Sequence, residues 1–248
     1  MSSGHRRSAQ LTAREGPPPV EGAKRDEIID AATRRFGRYG YENTKWADIA
    51  ADVGVGPTAL YHYFESKQHC LFVILGQAMA DFRARFEHLA GGDRPPPTHL
   101  PSPLPAPCTA HGGSDYLSTL VAVLQDCFRL TEHDIQRNRV VIAEQGLLMN
   151  PRQSPREEQS RQAARQLTRD LERLWAAFLA GAMEQGAIPD GDPRLLARAI
   201  LGMYNSVWHW YRPNGIVALP RVAEFFVARS LALAGVAPDV AESVLLVA

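Results

Sequence analysis

The chain has 248 residues, of which 45% are hydrophobic and 22% are charged, as in an ordinary globular protein with a buried core. Lysine plus arginine and aspartate plus glutamate each number 27, so net charge does not indicate nucleic acid or an anionic membrane as a partner. The three cysteines show neither disulfide nor zinc spacing, and no apolar run approaches the roughly 20 residues of a membrane span. We therefore expect a cytoplasmic protein that uses no metal, no cofactor and no membrane.

Polar and proline-rich stretches divide the chain. Residues 1–20 are expected to form a disordered basic arm. Residues 91–114 hold seven of the 18 prolines, and because proline removes backbone donors they predict a loop. Apolar residues recur at helical spacing elsewhere and no segment alternates like a strand, which predicts an all-α fold with an N-terminal domain at 21–67 and a larger domain at 68–248. Beyond the loop the predicted helices are 115–133, 134–149, 157–185, 193–211 and 220–234.

The stretch from Thr44 to Phe64, TKWADIAADVGVGPTALYHYF, predicts two short helices around a tight turn. Thr44 is placed to cap a helix that begins at one of the next two residues. Gly54 can adopt the positive φ of a sharp turn, and Pro57 suits the first position of the second helix.

The spacing within this stretch is that of a helix-turn-helix. Ala50 is small, Gly54 follows four residues later and the apolar Leu60 six residues after that. In that motif the second helix enters the major groove of DNA, where Tyr61 and His62 would donate hydrogen bonds to phosphates. The spacing also fits a helical hairpin inside an ordinary bundle, so the residues alone leave both interpretations open.

The N-terminal region, from about Lys24 to Leu75, resembles the DNA-binding domain of the TetR family of bacterial one-component repressors. The most specific match is LYHYFESK, which ends at Lys67, and the aromatic-glycine-aromatic pattern around Gly40 also matches. The resemblance implies an all-α homodimer that binds an operator in double-stranded DNA and leaves it when a small molecule binds the C-terminal domain.

The same resemblance implies particular contacts with the operator. Thr44 would cap the motif's first helix and touch a phosphate, Thr58 and Ala59 would face bases, and Lys67 would reach the DNA backbone. Gly56 and Pro57 depart from the family pattern, so no base is read through position 57 and Lys45 is expected to compensate. The implied DNA-contacting residues are Thr44, Lys45, Thr58, Ala59, Tyr61, His62 and Lys67.

The segment from Arg194 to Gly215 predicts a helix that is apolar over a wide arc, which must be covered on two sides. One side can face the helix's own domain and the other a partner chain, and the apolar helix after Pro220 would complete such an interface. Simple core helices are the alternative. The residues expected at the dimer interface are Gly202, Ser206, Trp208 and Phe226.

The run WYRPNG, from Trp210 to Gly215, resembles a branch of the family that controls fatty-acid or sterol catabolism and senses acyl-CoA thioesters. The resemblance implies a small apolar effector, and an arginine beside a tryptophan can hold a CoA phosphate or adenine, although it can also cap the helix. Together with the inward stripe of the 157–185 helix, the expected effector-binding residues are Asn205, Trp210, Arg212, Trp175 and Phe178. The alternatives are a repressor that senses drugs or other hydrophobic compounds and a helical interaction module that does not bind DNA. An enzyme is disfavoured because the sequence has no nucleophile or metal signature.

Overall fold

The computed structural model describes residues 21–91 and 113–247, and every regular element within these ranges is helical. The all-α prediction is confirmed. The predicted basic arm and most of the predicted proline-rich loop lie outside the described residues. The helices are α1 (Glu21–Tyr39), α2 (Trp46–Asp52), α3 (Leu60–Tyr63), α4 (Lys67–Gly91), α5 (Gly113–Asp126), α6 (Glu132–Glu144), α7 (Pro155–Glu184), α8 (Pro193–Trp210), α9 (Leu219–Leu233) and α10 (Pro238–Val247), with 3-10 turns at Pro57–Ala59 and Gln145–Met149.

The predicted end of the 115–133 helix is wrong, and one helix was not predicted. The predicted helix 115–133 ends at Asp126, because Thr131 starts a new helix: its hydroxyl accepts from the amide of Asp134, whose carboxylate accepts in return from the amide of Thr131. The last predicted helix is followed by α10. Pro238 at its start is the first-turn proline that could have indicated it.

Helix α4 joins the two parts of the molecule. It begins directly after the N-terminal group α1–α3 and packs along α7, which packs in turn along α8. Helices α5, α6 and α9 complete the C-terminal part, and the buried side chains of both parts form one continuous core. No helix among residues 21–91 and 113–247 is long and apolar enough to cross a membrane.

A second connection between the two parts lies where α1 packs against α6. Gly37 faces Gln136 there so closely that a Cβ on Gly37 would lie 3.0 Å from the main-chain oxygen of Gln136. The N-terminal group is therefore held by α6 as well as by α4.

Candidate nucleic-acid interface and effector cavity

A tight turn joins α2 to the next helical segment. Gly54 adopts a φ of +68°, and the amide of Val55 donates to the carbonyl oxygen of Ala50 over 3.0 Å. Ala50 is completely buried, so the two helices approach closely beside the turn. Pro57 occupies the first position of the 3-10 turn that α3 continues. The structure thus has the predicted helix-turn-helix geometry, and we call Pro57–Tyr63 the recognition helix.

The recognition helix has one buried and one exposed face. Leu60 and the following Phe64 are completely buried and fix the segment to the core. Among the predicted DNA-contacting residues Lys45, Thr58, Tyr61 and His62 are exposed, and Ala59 is half-buried. Side chains that can bind bases and phosphates therefore occupy the outer face of this helix, as DNA binding requires.

Two predicted DNA contacts have other roles in the structure. Thr44 is only 2% exposed, and its hydroxyl donates to the carbonyl oxygen of Gly40 over 2.9 Å instead of capping α2, whose N-cap is Lys45. The ammonium of Lys67 donates to the carbonyl oxygens of Tyr41 and Thr44 over 2.8 and 2.9 Å and lies 4.1 Å from the centre of the Tyr41 ring. The prediction of a Thr44 cap is wrong, and Lys67 holds the 40–44 turn instead of reaching outwards.

A small apolar cavity, which encloses about 10 Å³, lies among α4, α5, α7, α8 and α9. Its lining contains no charged side chain. Burial raises the pKa of Cys127 to about 12 and raises that of Tyr204 as well, so both groups are uncharged at neutral pH. Asn138 of α6 donates to the hydroxyl of Tyr204 over 2.9 Å. The lining residues are Phe82, Leu124, Cys127, Phe128, Trp175, Ile200, Leu201, Tyr204, Phe226 and Ser230.

The cavity includes only part of the predicted effector-binding set. Trp175 lines it, and α7 and α8 bound it as expected from the sequence. Phe178, one turn further along α7, packs instead on Phe86, with ring centres 5.7 Å apart, and is 3% exposed. Asn205 is half-buried on α8 and lies outside the cavity wall.

The burial of the two tryptophans near the end of α8 differs from what the sequence suggested. Trp208, expected at the dimer interface, is 2% exposed and packs in its own chain against Tyr204, with ring centres 5.4 Å apart. Trp210, expected beside the effector, is 49% exposed. Residues two apart on a helix point to nearly opposite sides, which explains why one is buried and the other exposed. Trp208 therefore offers almost no surface to a partner chain.

Arg212 lies just beyond the end of α8. Its guanidinium donates to the carbonyl oxygen of Tyr211 over 3.0 Å and to that of His209 over 3.5 Å, the geometry of a C-terminal cap. Burial, and after it the positive charge of Arg212, lowers the pKa of the Arg139 guanidinium on α6. Neither arginine forms an ion pair with a carboxylate among residues 21–91 and 113–247.

One outer face of α8 carries small and apolar residues. Gly202 and Ser206 are exposed, and a Cβ on Gly202 would meet no atom within 4 Å. Leu195 and Trp210 fall on the same face at spacings of seven and four residues and are 62% and 49% exposed. On α9 the exposed aromatic side chain is Phe225, at 54%.

Phe226, which the sequence suggested for the dimer interface, lines the cavity from α9. The expectation from the sequence also missed the contributions of α4 and α5, represented by Phe82 and Leu124, because it placed only α7 and α8 at the cavity wall. The amphipathic pattern from Tyr116 to Phe128 was the available signal.

Two sequence profiles match the chain and together cover more than half of it. The profile described as "Bacterial regulatory proteins, tetR family" matches residues 28–74, and "Tetracyclin repressor-like, C-terminal domain" matches residues 129–236. The first contains the helix-turn-helix and the second contains most of the cavity wall.

Full-length relatives agree with these matches. The chain is 24% identical over 227 residues to the HTH-type transcriptional repressor KstR2 of Rhodococcus jostii, covering 89% of this chain and 97% of that protein. Among solved structures, AibR in complex with isovaleryl coenzyme A and operator DNA superposes with a TM-score of 0.62 at 20% identity, over 83% of this chain and 97% of AibR. KstR2 of Mycobacterium tuberculosis gives 0.62 at 21% identity, over 84% and 93% of the two chains. These matches confirm the prediction of a DNA-binding transcriptional regulator, and the chain belongs to the TetR family of bacterial regulatory proteins.

Proposed function

We propose that this repressor acts in the cytoplasm and is released from its operator by an acyl-CoA thioester whose acyl group enters the cavity. The observation that carries the proposal is that the cavity is apolar and has no charged lining residue. A buried ionised group without a partner costs several kcal/mol or more, so the part of the effector that enters must be neutral. A thioester meets this requirement, whereas the carboxylate of a free fatty acid and the ammonium of a cationic drug do not.

The size of the cavity favours a small acyl group. The space enclosed by the lining is only about 10 Å³, roughly what one water molecule needs. An acyl group therefore enters only by displacing side chains such as Phe226, and a short or branched chain displaces fewer of them than a fused-ring acyl group. The isovaleryl coenzyme A bound by the fold relative AibR is a compound of the first kind.

The charged part of coenzyme A requires positive groups near the mouth. Arg139 and Arg212 are two neighbouring guanidiniums without a carboxylate partner among the described residues, and Arg139 follows Asn138, which contacts the cavity residue Tyr204. Phosphate oxygens would relieve the repulsion between the two cations and accept hydrogen bonds from both. In this proposal Arg212 caps α8 and binds phosphate with its remaining donors.

The experiment is a titration of the protein bound to its own genomic operator, followed by fluorescence anisotropy. Isovaleryl-CoA and longer acyl-CoAs should release the DNA, while isovalerate and free coenzyme A should not. Arg139→Ala should weaken the response about tenfold, the effect expected for one charge-assisted hydrogen bond. Arg194→Ala, at the other end of α8, is the control and should respond like the wild type. Release by uncharged drugs but by no thioester would overturn the acyl-CoA assignment and leave the repressor assignment intact.

DNA binding should use the outer face of the recognition helix. We propose that Thr58 and Ala59 face bases while Lys45, Tyr61 and His62 bind phosphates. Helices α8 and α9 would form the dimer interface through Gly202 and Ser206, with the exposed side chains of Leu195, Trp210 and Phe225 in place of the buried Trp208 and Phe226. The helix-turn-helix domain would span residues 21–67 and the effector and dimerisation domain residues 68–248.

A further inference from the structure

The segment that ends the recognition helix is held by the start of α7. Ser154 donates a hydrogen bond to the carboxylate of Glu65, and Ser66 donates one to the carboxylate of Glu157. Arg156 adds an ion pair to Glu65, with 3.9 Å between guanidinium nitrogen and carboxylate oxygen. These contacts join residues about 90 positions apart, and we call the four side chains of Glu65, Ser66, Ser154 and Glu157 the clamp.

Two residues of the clamp, Ser154 and Glu157, have the spacing of a capping box. Ser154 is the N-cap residue of α7 and Glu157 lies three positions later, the S-x-x-E pattern in which each side chain usually bonds to the other's backbone amide. In this structure the Ser154 side chain makes no cap hydrogen bond. Both groups are instead directed to the other part of the molecule. The same two residues thus have two sets of partners available, one within α7 and one across the clamp.

The clamped segment is fixed rigidly to its neighbours. The amide of Glu65 donates to Nδ1 of His69 over 3.2 Å, and the amide of His69 donates to the hydroxyl of Ser66 over 3.0 Å. The amide of Phe64 donates to the carbonyl oxygen of Leu60 over 3.0 Å, which closes the recognition helix. A displacement of Glu65 and Ser66 is therefore passed directly to the recognition helix.

The other end of this connection is the cavity. Trp175 of α7 lines the cavity, 20 residues after Pro155, which corresponds to about 30 Å along a helix. The start of α7 is anchored by Arg161, which is 3% exposed, pairs with Glu158 over 2.6 Å and donates to the carbonyl oxygen of Leu148. Helix α7 is thus a continuous rod with one point at the cavity and another at the recognition helix.

We propose that Ser154 and Glu157 are positioning residues that couple the effector cavity to the recognition helix through α7, by exchanging the clamp for the capping box. This inference rests on the proposed function, because it needs an effector in the cavity. Occupation of the cavity moves Trp175 and α7, Ser154 and Glu157 turn to their own helix, and the recognition helix loses its support. The route adds to the direct connection through α4.

The test compares the double variant Ser154→Ala/Glu157→Ala with wild type and with Gln159→Ala. Gln159 is exposed in the next turn of α7 and makes no side-chain hydrogen bond to a described residue. Operator affinity is measured with and without isovaleryl-CoA, and the ratio of the two dissociation constants gives the coupling, typically about 5–150-fold in allosteric proteins. In the clamp variant we expect the ratio to fall at least about threefold, with unchanged affinity of the free protein for isovaleryl-CoA. An unchanged ratio would overturn the inference.

A second measurement separates this inference from the proposed function. If isovaleryl-CoA does not release DNA from the wild type, the proposed effector is wrong but the clamp can still be tested by hydrogen exchange on the free full-length protein. Amides of residues 58–66 should exchange at least about fivefold faster in the clamp variant and at the wild-type rate in Gln159→Ala. Equal exchange in all three proteins would show that the clamp does not support the recognition helix.

Discussion

The contact between α1 and α6 gives a stability prediction whose size follows from the geometry. A Cβ on Gly37 would lie 2.4 Å from the side-chain oxygen of Gln136, 2.8 Å from its Cβ and 3.0 Å from its main-chain oxygen. The amide side chain can rotate away, but the main chain of α6 cannot move without separating the helices. Gly37→Ala should therefore incur the overpacking cost of about 1–3 kcal/mol, partly offset by the gain of about 1 kcal/mol from the helix propensity of alanine.

Gly76→Ala is the matched control for this substitution. Gly76 also lies inside a helix, and its Cβ would lie 3.7 Å from the Cβ of Ala164, an ordinary van der Waals distance. It should gain the helix propensity without the overpacking, so the difference between the two variants isolates the overpacking cost at about 1–3 kcal/mol.

Thermal unfolding at one fixed protein concentration measures this difference. A gap of about 2 kcal/mol corresponds to roughly 4–8 °C in Tm for a chain of this size. The additional change Gln136→Ala should recover only part of the loss, because the main-chain oxygen remains in place. Equal Tm values for the two glycine variants would refute the close contact between α1 and α6.

Three further predictions concern DNA binding, assembly and pH. Tyr61→Phe and His62→Ala should each weaken the binding of operator and of scrambled duplex by a similar factor of about ten, because phosphate contacts carry no sequence information. Fluorescence anisotropy with both duplexes measures the two affinities, and wild-type affinity in the variants would contradict the prediction. Phe225→Arg should give monomers in sedimentation velocity at micromolar concentration while keeping the helical circular dichroism spectrum, and a wild-type protein that is already monomeric would refute the interface. Burial lowers the pKa of His69 below its ordinary value of 6.5, so the unfolded chain binds a proton at this residue more readily than the folded chain does. The free energy of unfolding should therefore fall as the pH drops through 6.5 towards the lowered folded-state value. Urea denaturation from pH 8 to 5 should show a smaller loss of unfolding free energy in His69→Gln than in the wild type.

Local features of the molecule could be predicted from the sequence. The turn of the helix-turn-helix depends on Gly54 and Ala50, which lie within one short segment, so backbone conformation and residue size were sufficient to predict it. Contacts between distant segments could not be predicted in this way. Lys67 bonds to carbonyl oxygens 23 and 26 residues away, and these bonds replaced the role expected from its position beside the recognition helix. A helical period likewise shows that Trp208 and Trp210 lie on different faces without showing which face is buried.

Phe226 also connects the cavity to the surface proposed for the dimer interface. Phe226 lines the cavity, and its ring centre lies 6.5 Å from that of the exposed Trp210 and 5.5 Å from that of the exposed Phe225. An acyl group that displaces Phe226 must therefore also displace side chains on the surface proposed to contact the partner chain. The separation of the two recognition helices in a dimer depends on that surface and must match successive major grooves about 34 Å apart. One ligand can thus act on α7 and the clamp within a chain and on α8 and α9 between chains. Both effects favour the same released state only if the effector binds that state more tightly than the DNA-bound state.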